Sequence, residues 1–266
     1  MLANYHTHTT FCDGKNTPEE IVLACIERGF CAIGFSGHGY TPYDLHCCLR
    51  DTEGYIAEIT RLKKKYEGKI EVFLGIEEDA FAPVDRRPLD YLIGSCHYMR
   101  HSGGYHSLDW KPEKFRACLD LYDGDYLQMA EEYYDAFCTY LESRRPDIIG
   151  HFDLLTKFDE SDGYGMLADP RYREIAERGL ARAARVGSVF EVNTGAISRG
   201  FRRDPYPSPH LLHLLHRLGG EVILTADAHT TEHLSFGFDE ARAALREIGF
   251  RHVRLLRSGA FVKDAL

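Results

Sequence analysis

The chain lacks the features that would place it in a membrane, outside the cell or on nucleic acid. No apolar run approaches the roughly 18 residues that a membrane-spanning helix requires, and no basic segment followed by an apolar one opens the sequence. Without such a signal, its eight cysteines, none of them in a CxxC pair, are typical of reduced thiols. Acidic residues outnumber basic ones by 41 to 32, for a net charge of −9, whereas nucleic-acid binding usually needs a basic surface. We therefore expect a cytoplasmic protein with no membrane or nucleic-acid partner.

The sequence also lacks low-complexity segments and internal repeats. Short apolar runs instead alternate with amphipathic stretches, which is typical of βα units around a parallel sheet. A chain of 266 residues is long enough for one α/β barrel, since such barrels reach about 200–250 residues as a single domain. No change in composition divides the chain, so we predict one domain over residues 1–266.

The alternation predicts seven strand-then-helix units and a short tail. The first helix has the clearest start, because Thr17-Pro18-Glu19-Glu20 combines an N-cap threonine, a proline at the first position and a glutamate at the third. A long excursion over about 99–145 interrupts the alternation after the fourth strand. We also predict helices over about 112–121, 125–141 and 238–248 and a strand-like run over 253–256.

Side chains that can bind metal ions stand at the ends of all seven predicted strands. In chain order they are His6 and His8, His38, Glu77, His97, His151, Glu191 with Asn193, and Asp227 with His229. Asp13 follows the first strand on a loop. The carboxyl ends of parallel strands meet at one rim of a closed barrel, so we expect these side chains to share one bowl. The ligands are nitrogen and oxygen atoms and are too numerous for one ion, which predicts two or three divalent metal ions and catalysis.

Two of these strand ends repeat the same spacing. His6 and His8 point to one face of a strand because they are two residues apart, and Asp227 and His229 repeat that arrangement. Right-handed sequential winding places the seventh strand beside the first when the sheet closes. We therefore expect the two pairs to meet.

The series of motifs resembles the PHP (polymerase and histidinol phosphatase) superfamily. The resemblance rests on motifs spread from Tyr5 to His229, namely His6-Thr7-His8, His38, Glu77, His97, Ile149-Gly150-His151 and Asp227-Ala228-His229. The finer pattern HTHTTFCDG, GIEED, IGSCHY and EVNTG is most similar to the histidinol-phosphate phosphatases of that superfamily. The resemblance implies a distorted (β/α)7 barrel, an α/β fold similar to the TIM barrel, with a trinuclear metal site.

The resemblance also implies how the ligands divide among three ions. The implied sets are His6, His8, Glu77 and Asp227 for one ion, Glu77, His97 and His151 for a second, and His38, His229 and Asp13 for the third. Many members of the superfamily have a histidine where this chain has Gly14, so the place of Asp13 in the third set is a departure from the pattern. Zinc, iron and manganese all suit imidazole and carboxylate ligands, which leaves the metal open.

By resemblance the chain is a metal-dependent phosphoric monoester hydrolase. The implied reaction converts L-histidinol phosphate to L-histidinol and phosphate in histidine biosynthesis, by attack of a hydroxide that bridges two metal ions. Glu77, Asp227 and His229 would be catalytic. Substrate binding is expected of Arg199, whose guanidinium can grip phosphate oxygens, and of Asn193.

Other charged residues near the predicted rim carry weaker expectations. Lys157, Arg202 and Arg203 are more typical of surface charges than of phosphate ligands. An acidic lining would suit the ammonium and imidazole of histidinol phosphate, and four acidic residues follow the strand ends, namely Glu78, Asp79, Asp159 and Glu160.

Three other functions remain open at the level of sequence. The first is a PHP phosphoesterase that acts on nucleotides or other small phosphate esters. The second is a metal-binding module without activity, although the nearly complete ligand set favours an enzyme. The third is a hydrolase of C–N bonds, which usually carries a metal-bridging lysine that no strand end supplies here. The sequence does not determine the oligomeric state.

Overall fold

A computed structural model describes all residues, 1–266. The strands are β1 (Ala3–Asn4), β2 (Ala32–Phe35), β3 (Glu71–Asp79), β4 (Tyr91–Ser95), β5 (Tyr98–His101), β6 (Gly104–Ser107), β7 (Ile148–Ile149), β8 (Val189–Asn193), β9 (Val222–Thr225), β10 (His252–Arg257) and β11 (Ala260–Ala265). The α-helices are α1 (Pro18–Glu27), α2 (Thr52–Lys65), α3 (Pro112–Asp120), α4 (Tyr126–Arg144), α5 (Asp159–Asp162), α6 (Pro170–Ala183), α7 (Gly195–Ser198), α8 (Pro209–Arg217) and α9 (Phe238–Ile248). No helix has the length and apolar character needed to cross a bilayer.

The main sheet winds in sequence order. Its nine strands run β1-β2-β3-β4-β7-β8-β9-β10-β11, and every pair from β1 to β10 is parallel. Strands β1 and β9 approach each other beyond their carboxyl ends, where Thr7 and Ala228 form an isolated parallel bridge. His8 N donates to Ala228 O at 2.9 Å, and Ala228 N donates to His6 O at 3.1 Å. The predicted meeting of the two ends is therefore confirmed, and the barrel closes through this short seam.

The barrel has an inner and an outer apolar layer, because successive strand residues face opposite sides. The inner layer is a cluster of eleven buried residues that includes Tyr5, Phe73 and Tyr91. The Tyr91 hydroxyl donates to Tyr5 O at 2.6 Å and so ties the inner layer across the barrel. A Cβ on Gly75 would lie 2.3 Å from the Tyr91 ring, so this ring requires glycine beside it. The outer layer, 56 buried residues, packs the helices against the sheet.

The start of α1 is formed as predicted. Thr17 Oγ1 accepts a hydrogen bond from Glu20 N at 3.3 Å, while Glu20 Oε2 accepts one from Thr17 N at 2.8 Å. This reciprocal pair satisfies two backbone donors that a helix start otherwise leaves free. The prediction of a helix over 238–248 is confirmed as α9.

Three strands, β5, β6 and β11, are absent from the predictions. The excursion over 99–145 contains the hairpin β5–β6 ahead of its two helices, and its turn uses Ser102 and Gly103 at positive φ. The strand-like run over 253–256 is β10, and β11 pairs with it in antiparallel fashion at the sheet edge. The hairpin and β11 are mostly exposed or half-buried, so their sequences lack the apolar runs that reveal buried strands.

Candidate metal centre

The alternation of side chains along β3 places two carboxylates at the barrel mouth. Glu77 and Asp79 point to the same side, and Asp79 accepts a hydrogen bond from His97 N at 2.8 Å. Glu78 points to the other side and contacts α4. One strand thus directs two acidic side chains into the mouth and one away from it.

A cavity of about 330 Å³ opens at the carboxyl ends of the strands. Seven of the nine predicted ligands line it, namely Asp13, His38, Glu77, His97, His151, Asp227 and His229. His6 and His8 lie beneath its floor and are fully buried. Asp227 has φ 45°, an uncommon value outside glycine, and such strained positions are concentrated at functional sites.

The structure brings all nine predicted ligands together in four overlapping groups. The ligand atoms of each group lie within 4.8 Å of one another, and the groups are His8, Asp13, His38 and His229; His6, Glu77 and His151; His6, His8 and Asp227; and His38, Glu77 and His97. Glu77 is central, because its Oε1 lies 2.9 Å from His151 Nε2 and its Oε2 lies 2.9 Å from His38 Nδ1. Asp13, which stands one residue before the usual histidine position, reaches His229 Nε2 at 3.3 Å.

Unpaired buried atoms show that divalent metal ions fit this cluster. His6 Nε2, His8 Nε2 and Glu77 Oε2 are buried and form no hydrogen bond of acceptable geometry, although His38 Nδ1 lies 2.9 Å from Glu77 Oε2. They lie close together, with His6 Nε2 at 3.2 Å and His8 Nε2 at 3.7 Å from Glu77 Oε2. Buried polar atoms are almost always paired, and convergent imidazole nitrogens and carboxylate oxygens are the donor set of zinc, iron and manganese. Divalent cations would satisfy these atoms.

The electrostatics of the cluster keep two of its carboxyl groups in the ionised form that can bind cations. Burial alone would raise the pKa of the Glu77 carboxyl, but the imidazoles of His6, His97 and His38 outweigh it and hold that pKa well below its usual range. Burial would likewise raise the pKa of the Asp227 carboxyl, yet Arg199 and His6 hold it well below its usual range. Both carboxylates are therefore ionised and ready to bind cations.

Glu191 fixes two of the predicted ligands from behind. Its Oε2 lies 2.8 Å from His6 Nδ1, and its Oε1 accepts a hydrogen bond from His151 N at 2.5 Å. Because an ionised carboxylate only accepts, His6 donates from Nδ1 and directs Nε2 toward Glu77 and Asp227, where Nε2 can bind a metal ion once it has lost its own proton. The sequence pattern placed Glu191 among the possible ligands at the strand ends, and the structure makes it the hydrogen-bond partner of His6.

Asn193 lies beside Glu191 rather than in the cavity. Its side chain is fully buried, donates to Glu191 Oε1 at 2.9 Å and accepts from Gly195 N at 2.8 Å. Both ends of the amide are thus occupied within the protein. This placement differs from the expected contact with substrate, because the alternation along β8 directs Asn193 to the same side as Glu191 beneath the cavity floor.

Two cations stand on one wall of the cavity. Arg199 donates to Asp227 O at 3.0 Å and to Asp227 Oδ2 at 2.9 Å. The Lys157 ammonium donates to Asp109 O at 2.5 Å and is almost completely buried. Burial lowers the pKa of Lys157 and outweighs the opposing carboxylate of Asp109. The expectation that Lys157 is a surface charge is therefore wrong, because the residue lies in the cavity lining.

The acidic lining comes mostly from residues that the sequence analysis missed. Asp79 lines the cavity as expected, together with Asp44 and Asp109 from loops that carry no motif. The other three expected residues point elsewhere, for Glu78 binds Arg144, Asp159 accepts from the backbone of Met166 and Leu167, and Glu160 pairs with Arg203. Loops, and not strand ends, place Asp44 and Asp109 in the cavity lining.

A closed α/β barrel with such a cluster at the carboxyl ends of its strands is the architecture of a metal-binding enzyme. Residues 4–195 match the PHP domain family, and the chain belongs to that family. The recognition and the fold prediction made from the motifs are confirmed.

Curated relatives and solved structures agree with this assignment. The chain is 29% identical to "Probable histidinol-phosphatase" of Deinococcus radiodurans, over 95% of this chain and 95% of the relative. It is 24% identical to "Histidinol-phosphatase" of Bacillus subtilis, over 88% of this chain and 96% of the relative. A similar fold, with a TM-score of 0.67 and 23% identity over 98% of both chains, is that of histidinol phosphate phosphatase from Lactococcus lactis, solved with zinc, L-histidinol and phosphate.

Proposed function

We propose that this protein is a metal-dependent histidinol-phosphatase that hydrolyses L-histidinol phosphate to L-histidinol and phosphate. The observation that carries the proposal is the shared cavity, in which a cluster of nine metal-ligand side chains meets two cations and three carboxylates. The names of the relatives and the zinc, histidinol and phosphate bound to the Lactococcus lactis enzyme support the same reaction.

The proposed ligands are His6, His8, Asp13, His38, Glu77, His97, His151, Asp227 and His229. Divalent metal ions, when bound, supply Lewis-acid chemistry: they polarise phosphoryl oxygens and lower the pKa of a water molecule toward 7. Glu77 would contribute to the binding of two neighbouring ions, because its two oxygens face different histidines. We retain Glu77, Asp227 and His229 as the proposed catalytic residues.

Arg199 and Lys157 are the proposed partners of the phosphate group. The Arg199 guanidinium presents a planar fork that matches two phosphate oxygens, and Lys157 adds a second positive charge to the same wall. Carboxylates elsewhere in the lining, namely Asp44, Asp79 and Asp109, would face the ammonium and imidazole of histidinol phosphate. The cavity thus combines positive charge for one end of the substrate with negative charge for the other.

The proposed unit of function is one domain over residues 1–266. The support is that the sheet begins at Ala3 and ends at Ala265, and that the ligands come from both halves of the chain.

The proposal is tested by metal analysis together with phosphate release. We expect purified protein to contain two or three divalent ions per chain, as the ligand groups allow, and to hydrolyse histidinol phosphate in preference to a panel of mononucleotides and simple phosphate esters. Glu77→Gln should lower kcat/KM by more than about a hundredfold, because even changes beside metal ligands cost up to that much.

Arg203→Gln is a matched control, since Arg203 is almost fully exposed and outside the cavity. It should retain the kcat/KM of the wild type. Full activity in Glu77→Gln would contradict the metal mechanism, and a preference for mononucleotides would replace the substrate proposed here.

A further inference from the structure

A network of buried charge lies behind the wall that carries Lys157 and Arg199. The Arg202 guanidinium and the Asp153 carboxylate are both completely buried, with Nη1 3.6 Å from Oδ2. Arg202 donates to Thr156 Oγ1 at 2.6 Å and to Ser208 Oγ at 2.9 Å. Ser208 donates to Asp153 Oδ2 from its backbone N at 3.0 Å and from its hydroxyl. We call these four side chains the buried ring.

The buried ring joins the two loops that deliver cations to the cavity. Asp153 and Thr156 lie in the loop after β7, and the next residue is Lys157. Arg202 and Ser208 lie between α7 and α8, and Arg199 precedes Arg202 by three residues. The relative position of the two cations therefore depends on how the ring holds the loops together.

An aromatic contact links Phe201, the residue before Arg202, to Lys157. Phe201 precedes Arg202, lines the cavity, and has its ring centre 5.3 Å from the Lys157 Nζ. Ammonium groups are attracted to aromatic faces at this range. A shift of Arg202 would thus move the aromatic side chain of Phe201, which Lys157 contacts.

Stability is a poor explanation for burying this ion pair. Taking two charges out of water costs about as much as their attraction returns, and apolar replacements are often equally stable. The buried ring also leaves Asp153 Oδ1 and Arg202 Nε without hydrogen-bond partners. Its polar groups do, however, define one arrangement of the two loops, which an apolar contact would define less strictly.

We propose that the buried ring is a clamp that fixes the spacing of Lys157 and Arg199 and thereby sets the affinity of the site for the phosphate group. Arg202 and Asp153 are positioning residues in this scheme and do not touch substrate. The inference rests on the proposed function, in which the two cations face the phosphate.

The test compares Arg202→Met with Arg203→Met, a neighbour whose side chain is 93% exposed. The measurements are the dissociation constant of inorganic phosphate by titration calorimetry on metal-loaded protein, KM and kcat for histidinol phosphate, and metal content. Arg202→Met should raise the phosphate dissociation constant and KM about tenfold, which corresponds to about 1.4 kcal/mol, at unchanged metal content. Arg203→Met should leave all of these values as in the wild type.

Thr156→Val is a milder variant, because it keeps both charges and removes one acceptor of Arg202. It should raise the phosphate dissociation constant by a smaller factor, and it decides the question if Arg202→Met does not fold.

Phosphate affinity within about twofold of the wild type in the folded variants would overturn the clamp. A loss of metal in parallel with the loss of phosphate affinity would also overturn it, since that result describes a general structural role; lower thermal stability by itself is expected of Arg202→Met, because the buried Asp153 carboxylate loses its partner. If the wild type binds phosphate but does not hydrolyse histidinol phosphate, the proposed function fails, while phosphate binding still tests the clamp.

Discussion

Among single residues, Glu191 holds two of the proposed metal ligands in place. Four groups surround its carboxylate, and the Thr225 hydroxyl and the Asn193 amide complete the set begun by His6 and His151. Burial would raise the pKa of Glu191, but the positive charge of His6 and its hydrogen bond hold that pKa below its usual range. Metal-binding histidines commonly donate their second nitrogen to such a carboxylate, which fixes ring orientation.

Glu191→Gln should therefore weaken metal binding. An amide has only one accepting end, so its NH₂ group would face a donor at His6 or at His151. We expect a loss of metal affinity of about 10–100-fold, measured by competition with a chromophoric chelator.

Thr225→Val is the control, because it removes one of the hydrogen bonds to Glu191 and keeps the carboxylate. It should change metal affinity much less. Equal affinities in Glu191→Gln and the wild type would show that Glu191 does not orient the ligands.

Among the elements, α4 is fastened to the barrel by a residue that faces away from the metal centre. Glu78 accepts from the Tyr140 hydroxyl at 2.8 Å and from Arg144 Nε at 2.8 Å and Nη2 at 2.6 Å. It also accepts from Val84 N at 2.6 Å. The strand that carries Glu77 thus anchors the last turn of α4 through the very next residue.

Glu78→Ala should destabilise the fold markedly. Removing one partner of a buried pair costs about 3–5 kcal/mol, and because Arg144 is about one-third exposed we expect about 3 kcal/mol. Urea denaturation measures this loss as a lower midpoint at a similar slope.

Glu131→Ala offers a matched comparison on the same helix. Glu131 and its partner Arg178 are both more than half exposed, and such pairs contribute about 1 kcal/mol or less. Equal losses in the two variants would contradict an anchoring role for Glu78.

For the whole molecule, the seam between β1 and β9 is the shortest pairing in the barrel. It consists of one isolated bridge between Thr7 and Ala228, while proposed ligands flank it on both sides, His6 and His8 on one and Asp227 and His229 on the other. An ion held by both sides would join the two ends of the barrel.

Metal removal should therefore lower stability and loosen the seam first. Ligands present at 100 to 1,000 times their dissociation constant stabilise a protein by about 2.7–4.1 kcal/mol, which for a chain of this size is roughly 5–15 °C in Tm. Calorimetry with and without a chelator measures the shift, and hydrogen exchange should rise at residues 6–8 and 226–228. A chelator already saturated with zinc is the control. An unchanged Tm together with unchanged exchange at the seam would contradict this role.

Much of the barrel and of the proposed centre follows from local sequence. Short continuous apolar runs specify buried strands, and the residues that follow them specify what stands at the barrel mouth. His6, Glu77 and Asp227 could be predicted to meet because right-handed winding leaves few alternatives for a parallel sheet. The hairpin β5–β6 could not, since it is too exposed to need an apolar pattern.

The sequence by itself determined the kind of fold and which side chains face the mouth, because both depend on spacing along a strand. Only the tertiary structure decided that Lys157, Asp44 and Asp109 line the cavity and that Arg202 lies behind it. Those residues sit on loops, whose paths depend on contacts between segments distant in the chain, and such contacts leave no periodic signal in the sequence.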